Sequence, residues 1–317
     1  ADRTEAARPR REASRSSLSA RVPAADPTVP EPIAIIGMSG RFPKARSVDE
    51  FWGILARGED AVEEIPSDRF DWRPYYGDPQ QEAGKTDCKW GGFVPGVGEF
   101  DPLFFEISPR EAELMDPRQR LLLMEAWKAL EAAGQGPLQL GRSKVGMFVG
   151  AEQGDYQFLT RGSGSITSNH DGILASRLAY VLNMRGPAMA INTACSSGLV
   201  ALHQACLSLR HGECDTALAA GVNLMLTPLS YLGASQAGML SKDGKCHAFD
   251  RHANGMVPAE AVVVVVLKRL SQAEADGDQI HAVIRGTSIN HGGRTNGYTV
   301  PNPVAQKELV RTALAKA

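Results

Sequence analysis

The sequence predicts an α/β fold with helices layered on a mixed sheet, and three observations point to it. Apolar runs of strand length alternate with longer segments of helical period. One run, Ala261 to Leu267, is almost all valine, which only a sheet covered on both faces can bury. Several of the helical segments open on capping residues or close on glycine, so the alternation is punctuated as such a chain requires.

Residues 1–30 are rich in Arg, Ala, Ser and Pro with no hydrophobic period, which predicts a linker or disordered arm. Order is expected from Ile33-Ala34-Ile35-Ile36, a buried strand that Gly37 closes. Ser47-Val48-Asp49-Glu50 has capping-box spacing, and Phe51, Trp52, Ile54 and Leu55 follow on a helix that Gly58 can end. Residues 60–105 show no sustained period, so a long irregular excursion that packs on a neighbour or a site is expected there. Within and before it, Glu59, Asp60, Glu63 and Glu64 read as a solvated helix end. Asp116-Pro117 caps a helix with Leu123, Trp127 and Leu130 on one face as far as Gly134. Strands are expected at Val145–Gly150, Ala188–Ala194, Thr216–Leu226 and Ala261–Leu267, with helices at Ile173–Leu182 and Ser196–Arg210. Ile280–Arg285 starts another strand, and Pro303–Ala317 another helix. A strand and helix with no strand after them leave a helix face and a sheet edge uncovered, so the sequence reads as cut short.

Composition excludes several function classes. Of 317 residues, 43% are hydrophobic and 22% charged, an ordinary globular balance. The net charge of -2 offers nothing to nucleic acid or an anionic membrane. The longest apolar run is far shorter than the roughly 20 residues of a spanning helix, and the N-terminal stretch has no signal-peptide core. A cytoplasmic location is the expectation. Five widely spaced cysteines without a C-x-x-C pair predict reduced thiols and no metal. Gly37-Met38-Ser39-Gly40 lacks the spacing of a dinucleotide loop.

Chemistry concentrates at Ile191-Asn192-Thr193-Ala194-Cys195-Ser196-Ser197-Gly198. A nucleophile at a sharp strand-to-helix turn is lifted out of the sheet, and small neighbours leave room for a substrate carbonyl. A helix N-terminus favours thiolate over thiol, so Cys195 is expected to be more reactive than an ordinary cysteine, with its own N–H placed to help hold an oxyanion. Cys206 and Cys214 lack such a turn and read as core residues. Selective alkylation of Cys195 over Cys214 would therefore mark a catalytic thiol.

These residues resemble the β-ketoacyl synthase domains of modular polyketide synthases. The likeness runs from Glu31 to Ala317 and rests on long motifs: Ile35 to Pro43, Phe104-Phe105-Glu106-Ile107-Ser108-Pro109-Arg110-Glu111-Ala112, Met115-Asp116-Pro117-Arg118-Gln119-Arg120, Thr193-Ala194-Cys195-Ser196-Ser197, and Asp243-Gly244-Lys245-Cys246 leading to Phe249-Asp250. The resemblance implies the thiolase fold, layered α/β/α/β/α from two similar halves and paired as a homodimer. Residues 31–270 then form the N-terminal half, and 271–317 the truncated start of the C-terminal half. The family's nucleophile falls on Cys195, and a supporting acidic residue on Glu260, although the usual Gly-Glu-Gly is here Ala259-Glu260-Ala261. Substrates would arrive on the phosphopantetheine arm of an acyl carrier protein, with no cofactor of the chain's own. Asn192 replaces the family's common Asp and Gly198 its third Ser, which resembles synthases served by a separate acyltransferase.

The family also uses two histidines, in Glu-Ala-His-Gly-Thr-Gly-Thr and Asn-Ile-Gly-His motifs, and none of the seven histidines here sits in either. His203 lies eight residues beyond Cys195 on the same helix, about 12 Å along its axis, too far for a base. His291 reads as a polar loop residue. A second polypeptide or missing segment is therefore expected to supply the histidines, and a stable soluble monomer of this chain alone would count against that. The alternative reading is a non-elongating docking or scaffolding module. A degradative thiolase shares the nucleophile but not the motifs at 104–120.

Overall fold

The computed structural model describes residues 30–136, 140–141, 143–161, 163 and 166–317, so the arm expected at residues 1–30 lies, but for Pro30, outside the described residues. The strands are β1 (Ile33–Arg41), β2 (Val62–Glu64), β3 (Trp90–Gly92), β4 (Val145–Ala151), β5 (Ala188–Ile191), β6 (Thr216–Asn223), β7 (Ala261–Arg269) and β8 (Ala282–Ile284). The helices are α1 (Val48–Arg57), α2 (Pro109–Leu114), α3 (Pro117–Ala132), α4 (Tyr156–Leu159), α5 (Ile166–Asn169), α6 (Ile173–Val181), α7 (Ser197–Arg210), α8 (Leu229–Gln236), α9 (Leu270–Asp276) and α10 (Pro303–Ala315).

Six strands form one mixed sheet in the order β5-β4-β6-β7-β1-β8. Strand β4 pairs parallel with β5 and β6, while β7 runs antiparallel to both β6 and β1. The valine run is the clearest case of sequence dictating burial. Val262, Val264 and Val266 pack with Leu122, Ala126 and Leu174 of α3 and α6. Val265 and Leu267 face the opposite layer, with Ala201, Ala205 and Leu209 of α7. Both faces are covered, which is the condition that allows a strand to be apolar on every residue.

Strand β1 is longer than its apolar run. A bulge between Ile35 and Gly37 shifts its register on β7, and pairing then continues to Arg41. Gly37 does not close the strand; a Cβ there would lie 2.4 Å from the Ala129 carbonyl oxygen, so the glycine admits α3 against the sheet. Beyond it, Ser39 Oγ donates to Glu125 of α3 at 2.5 Å, and Arg41 Nε to the same buried carboxylate at 3.0 Å. Helix α1 opens on Ser47, whose hydroxyl accepts from Glu50 N, and ends at left-handed Gly58. Glu63 and Glu64 are not on a helix end: they stand on β2, paired with β3, where Lys89 reaches Glu64.

The excursion over 60–105 packs on a neighbour: Ile65, Cys88 and Phe93 form a separate apolar cluster with Met225, Tyr231 and Leu240. The expected strand at Ala188–Ala194 stops at Ile191, because the backbone turns at Ala194 with φ 55°. Helices α2, α4, α5, α8 and α9 go beyond the periodicity. At α2 a signal was present, since Ser108 caps Glu111 N with Pro109 between them. Strand β8 adds to the sheet edge, and α10 buries no residue, leaving Val304, Val310 and Leu314 exposed. Among the described residues no helix is long and apolar enough to cross a membrane.

Candidate active site

Cys195 stands between the parallel strand β5 and the start of α7. The elbow forms because local side chains satisfy a backbone that can be neither strand nor helix. Asn192 Oδ1 accepts from Ala194 N at 3.1 Å, and Ser196 Oγ donates to the Thr193 carbonyl at 2.8 Å. Ser197 Oγ accepts from Thr193 N at 2.8 Å and donates to the Ala194 carbonyl at 2.6 Å. Ala194, held at φ 55°, is a conformation that non-glycine residues adopt only where the surroundings impose it.

The elbow sits low on the sheet because glycine lines its contact. A Cβ on Gly150 of β4 would fall 2.3 Å from the Ser197 carbonyl carbon and 2.4 Å from Gly198 N. Gly150→Ala is therefore expected to push the start of α7 off the sheet, costing about 1–3 kcal/mol in a urea titration and slowing Cys195 alkylation. At Gly198 an added Cβ meets only the Gly221 Cα at 3.9 Å, so the serine common in this family would fit. Ser196, the N-cap of α7, makes no capping bond to the first turn. The first turn of α7 thus carries no side-chain cap from Ser196, and its first N–H, that of Ser197, donates to the Ala194 carbonyl at 3.0 Å.

Of the five cysteines, Cys195 and Cys246 are exposed while Cys88, Cys206 and Cys214 are buried. Burial pushes the Cys206 thiol up to about 11 and raises Cys88 and Cys214 as well, which makes all three inert. Cys246 is thus a better reference than Cys214 for reactivity as distinct from access. It lines a cavity of about 340 Å³ with Pro43, Val62 and Lys245, which Cys195 does not border.

Glu260 is fully buried at the head of β7. Arg69 Nε and Nη2 donate to it at 2.9 and 2.8 Å, and Val94 N and Met225 N each donate at 3.0 Å. None of these bonds reaches the Cys195 elbow, so the two candidate residues are not joined in one hydrogen-bonded cluster. Burial opposes the Arg69 charge, but the Glu260 carboxylate outweighs it and leaves the guanidinium raised. Nothing in the sequence marks Arg69, because it lies 191 residues from its partner. His203, 8% exposed, is hydrogen-bonded through Nδ1 to Thr287 Oγ1 at 2.8 Å. Burial, with Lys316 and Arg210 nearby, lowers its pKa, as suits a packing residue. His291 Nδ1 accepts from Gly293 N and so closes its own loop.

A mixed sheet between helical layers, with a cysteine raised at a strand-to-helix elbow, defines the class of thiolase-like proteins. The chain belongs to the β-ketoacyl synthase family, among the ketosynthase domains of modular polyketide synthases: residues 30–273 match the family's N-terminal domain and 281–317 its C-terminal domain. It is 49% identical over 292 residues to polyketide synthase PksN of Bacillus subtilis and 54% identical over 288 to ThaG of Burkholderia thailandensis. Those matches cover 91% and 90% of this chain but 5% of each synthase. Among solved structures, the oxazolomycin ketosynthase domain OzmH KS7 of Streptomyces albus superposes with a TM-score of 0.86 at 44% identity, over 90% of this chain and 50% of that one. The module 6 ketosynthase of the Bacillus subtilis bacillaene synthase gives 0.81 at 44%, over 89% and 48%. The chain therefore spans about half the length of these ketosynthases.

Proposed function

We propose that this chain supplies the acyl-accepting half of a ketosynthase in polyketide elongation. The observation that carries this is the exposed Cys195 thiol on a strained elbow at the start of α7. Its thiolate attacks an acyl thioester on the phosphopantetheine arm of an acyl carrier protein; the Cys195 thioester forms and the carrier thiol leaves. A malonyl unit on a carrier then loses carbon dioxide, and its enolate attacks the Cys195 thioester carbonyl. A carbon–carbon bond forms, and the Cys195 thiolate departs. Splitting the reaction this way replaces one difficult step by two easier ones. The chain brings no cofactor of its own to this chemistry; the phosphopantetheine arrives with the substrate.

The two histidines for decarboxylation and condensation come from further chain that covers α10. The exposed Val304, Val310 and Leu314, and the half-length match to solved ketosynthases, support this. Expressed alone, the chain is expected to form polydisperse aggregates that bind a hydrophobic dye, and with the complementary half to give a single discrete species that binds none; a monodisperse, dye-free monomer of the chain alone in light scattering would overturn this. A homodimer is supported by β5, an exposed edge strand with Met189 outward, directly before the elbow. Asn192 and Gly198 favour an assembly line with a separate acyltransferase. The deciding experiment offers an acyl carrier protein thioester to the assembled halves and maps the acyl group by peptide mass. Acyl on Cys195 is expected; an unmodified Cys195 would leave the docking module as the reading.

A further inference from the structure

Ala194 is the one elbow residue with left-handed backbone, and both of its peptide groups are gripped by side chains. Its N–H donates to Asn192 Oδ1, and its carbonyl accepts from Ser197 Oγ as well as from Ser197 N at 3.0 Å. Ser197 Oγ also takes the Thr193 N–H, so one hydroxyl spans the inside of the turn. Ser197 is buried, at 4% exposure, while Asn192 to Ser196 are all exposed. The hydroxyl therefore keeps this geometry without competition from bulk water. Without the two grips, the Ala194 peptide groups keep only the Ser197 N–H on the carbonyl, and the bond from Ser196 Oγ to the Thr193 carbonyl does not touch Ala194, so Ala194 is freer to relax to negative φ. Such a relaxation rotates the Ala194–Cys195 peptide and swings both the thiol and the Cys195 N–H away from the start of α7.

We propose that Ser197, with Asn192 as its outer counterpart, is a positioning residue that aims Cys195 by pinning the Ala194 peptide. This rests on Cys195 being the nucleophile. An aspartate at 192, as is common in the family, would accept the same N–H, so that exchange preserves the clamp.

The test measures iodoacetamide labelling of the native full chain, comparing the Cys195 and Cys246 peptides in the same sample by mass spectrometry. Ser197→Ala is expected to slow Cys195 by at least about tenfold relative to Cys246, while still melting in a single cooperative transition. Adding Ala194→Gly to that variant makes positive φ free of steric cost and is expected to recover most of the rate. Should Ser197→Ala melt early, Asn192→Ala, an exposed change, takes its place with the same expected direction. No loss, a loss shared by Cys246, or a selective loss that Ala194→Gly leaves unrepaired would overturn the proposal. If wild-type Cys195 reacts no faster than Cys246, the nucleophile reading itself fails and takes the clamp with it.

Discussion

Cys195→Ala is expected to abolish acyl capture, lowering covalent loading from an acyl carrier protein by more than about a thousandfold, because no other side chain can take its place. Cys88, Cys206 and Cys214 are buried thiols held protonated by desolvation, and Cys246 borders a separate cavity. The neighbouring hydroxyls are already committed: Ser197 Oγ bridges Thr193 and Ala194, and Ser196 Oγ is tied to Thr193. Cys195→Ser should keep the elbow but present a hydroxyl, a far weaker nucleophile than a thiol, so loading is expected to fall nearly as far. Intact mass after incubation with the carrier-bound acyl thioester reads both variants. Residual acylation of Cys195→Ala at the wild-type level would place the nucleophile elsewhere. The folded state should be indifferent to either change, since the Cys195 side chain is exposed and fills no core space.

How much of this was legible beforehand depended on whether the cause was local. The valine run announced a doubly covered strand, and Asp116-Pro117 announced α3, because period and capping act within a few residues. The elbow was also legible as a place, since small residues follow an apolar run. Its conformation was not: the strand was expected to reach Ala194, and only the contacts of Asn192 and Ser197 explain why it stops at Ile191. Gly37 misled for the opposite reason, standing for the close approach of a helix 92 residues away rather than for a chain reversal. Glu260 stands out in the sequence only through the family resemblance, since its partners Arg69, Val94 and Met225 come from separated parts of the chain and no spacing rule connects them.

That long-range cluster carries the second large effect. Arg69→Ala is expected to destabilise the assembled domain by about 3–5 kcal/mol, the cost of leaving a buried charge without its partner. Both side chains are essentially sealed, at 1% and 0% exposure, so water cannot replace the guanidinium. Glu260→Gln should cost a comparable amount, because the amide NH2 would face two donors, one Arg69 N–H and either the Val94 or the Met225 N–H, and the buried guanidinium would keep only the exposed Asp68 at 3.0 Å. Comparing the urea midpoint with the acylation rate separates two roles for Glu260. If it only ties the excursion over 60–105 to the end of β6 and the head of β7, urea midpoints shift while the acylation rate of folded Cys195 stays within about twofold, since among the described residues no hydrogen bond links the two sites directly. If Glu260→Gln instead slows acylation at a midpoint near wild type, the carboxylate acts on the chemistry, and the architectural account of this cluster fails.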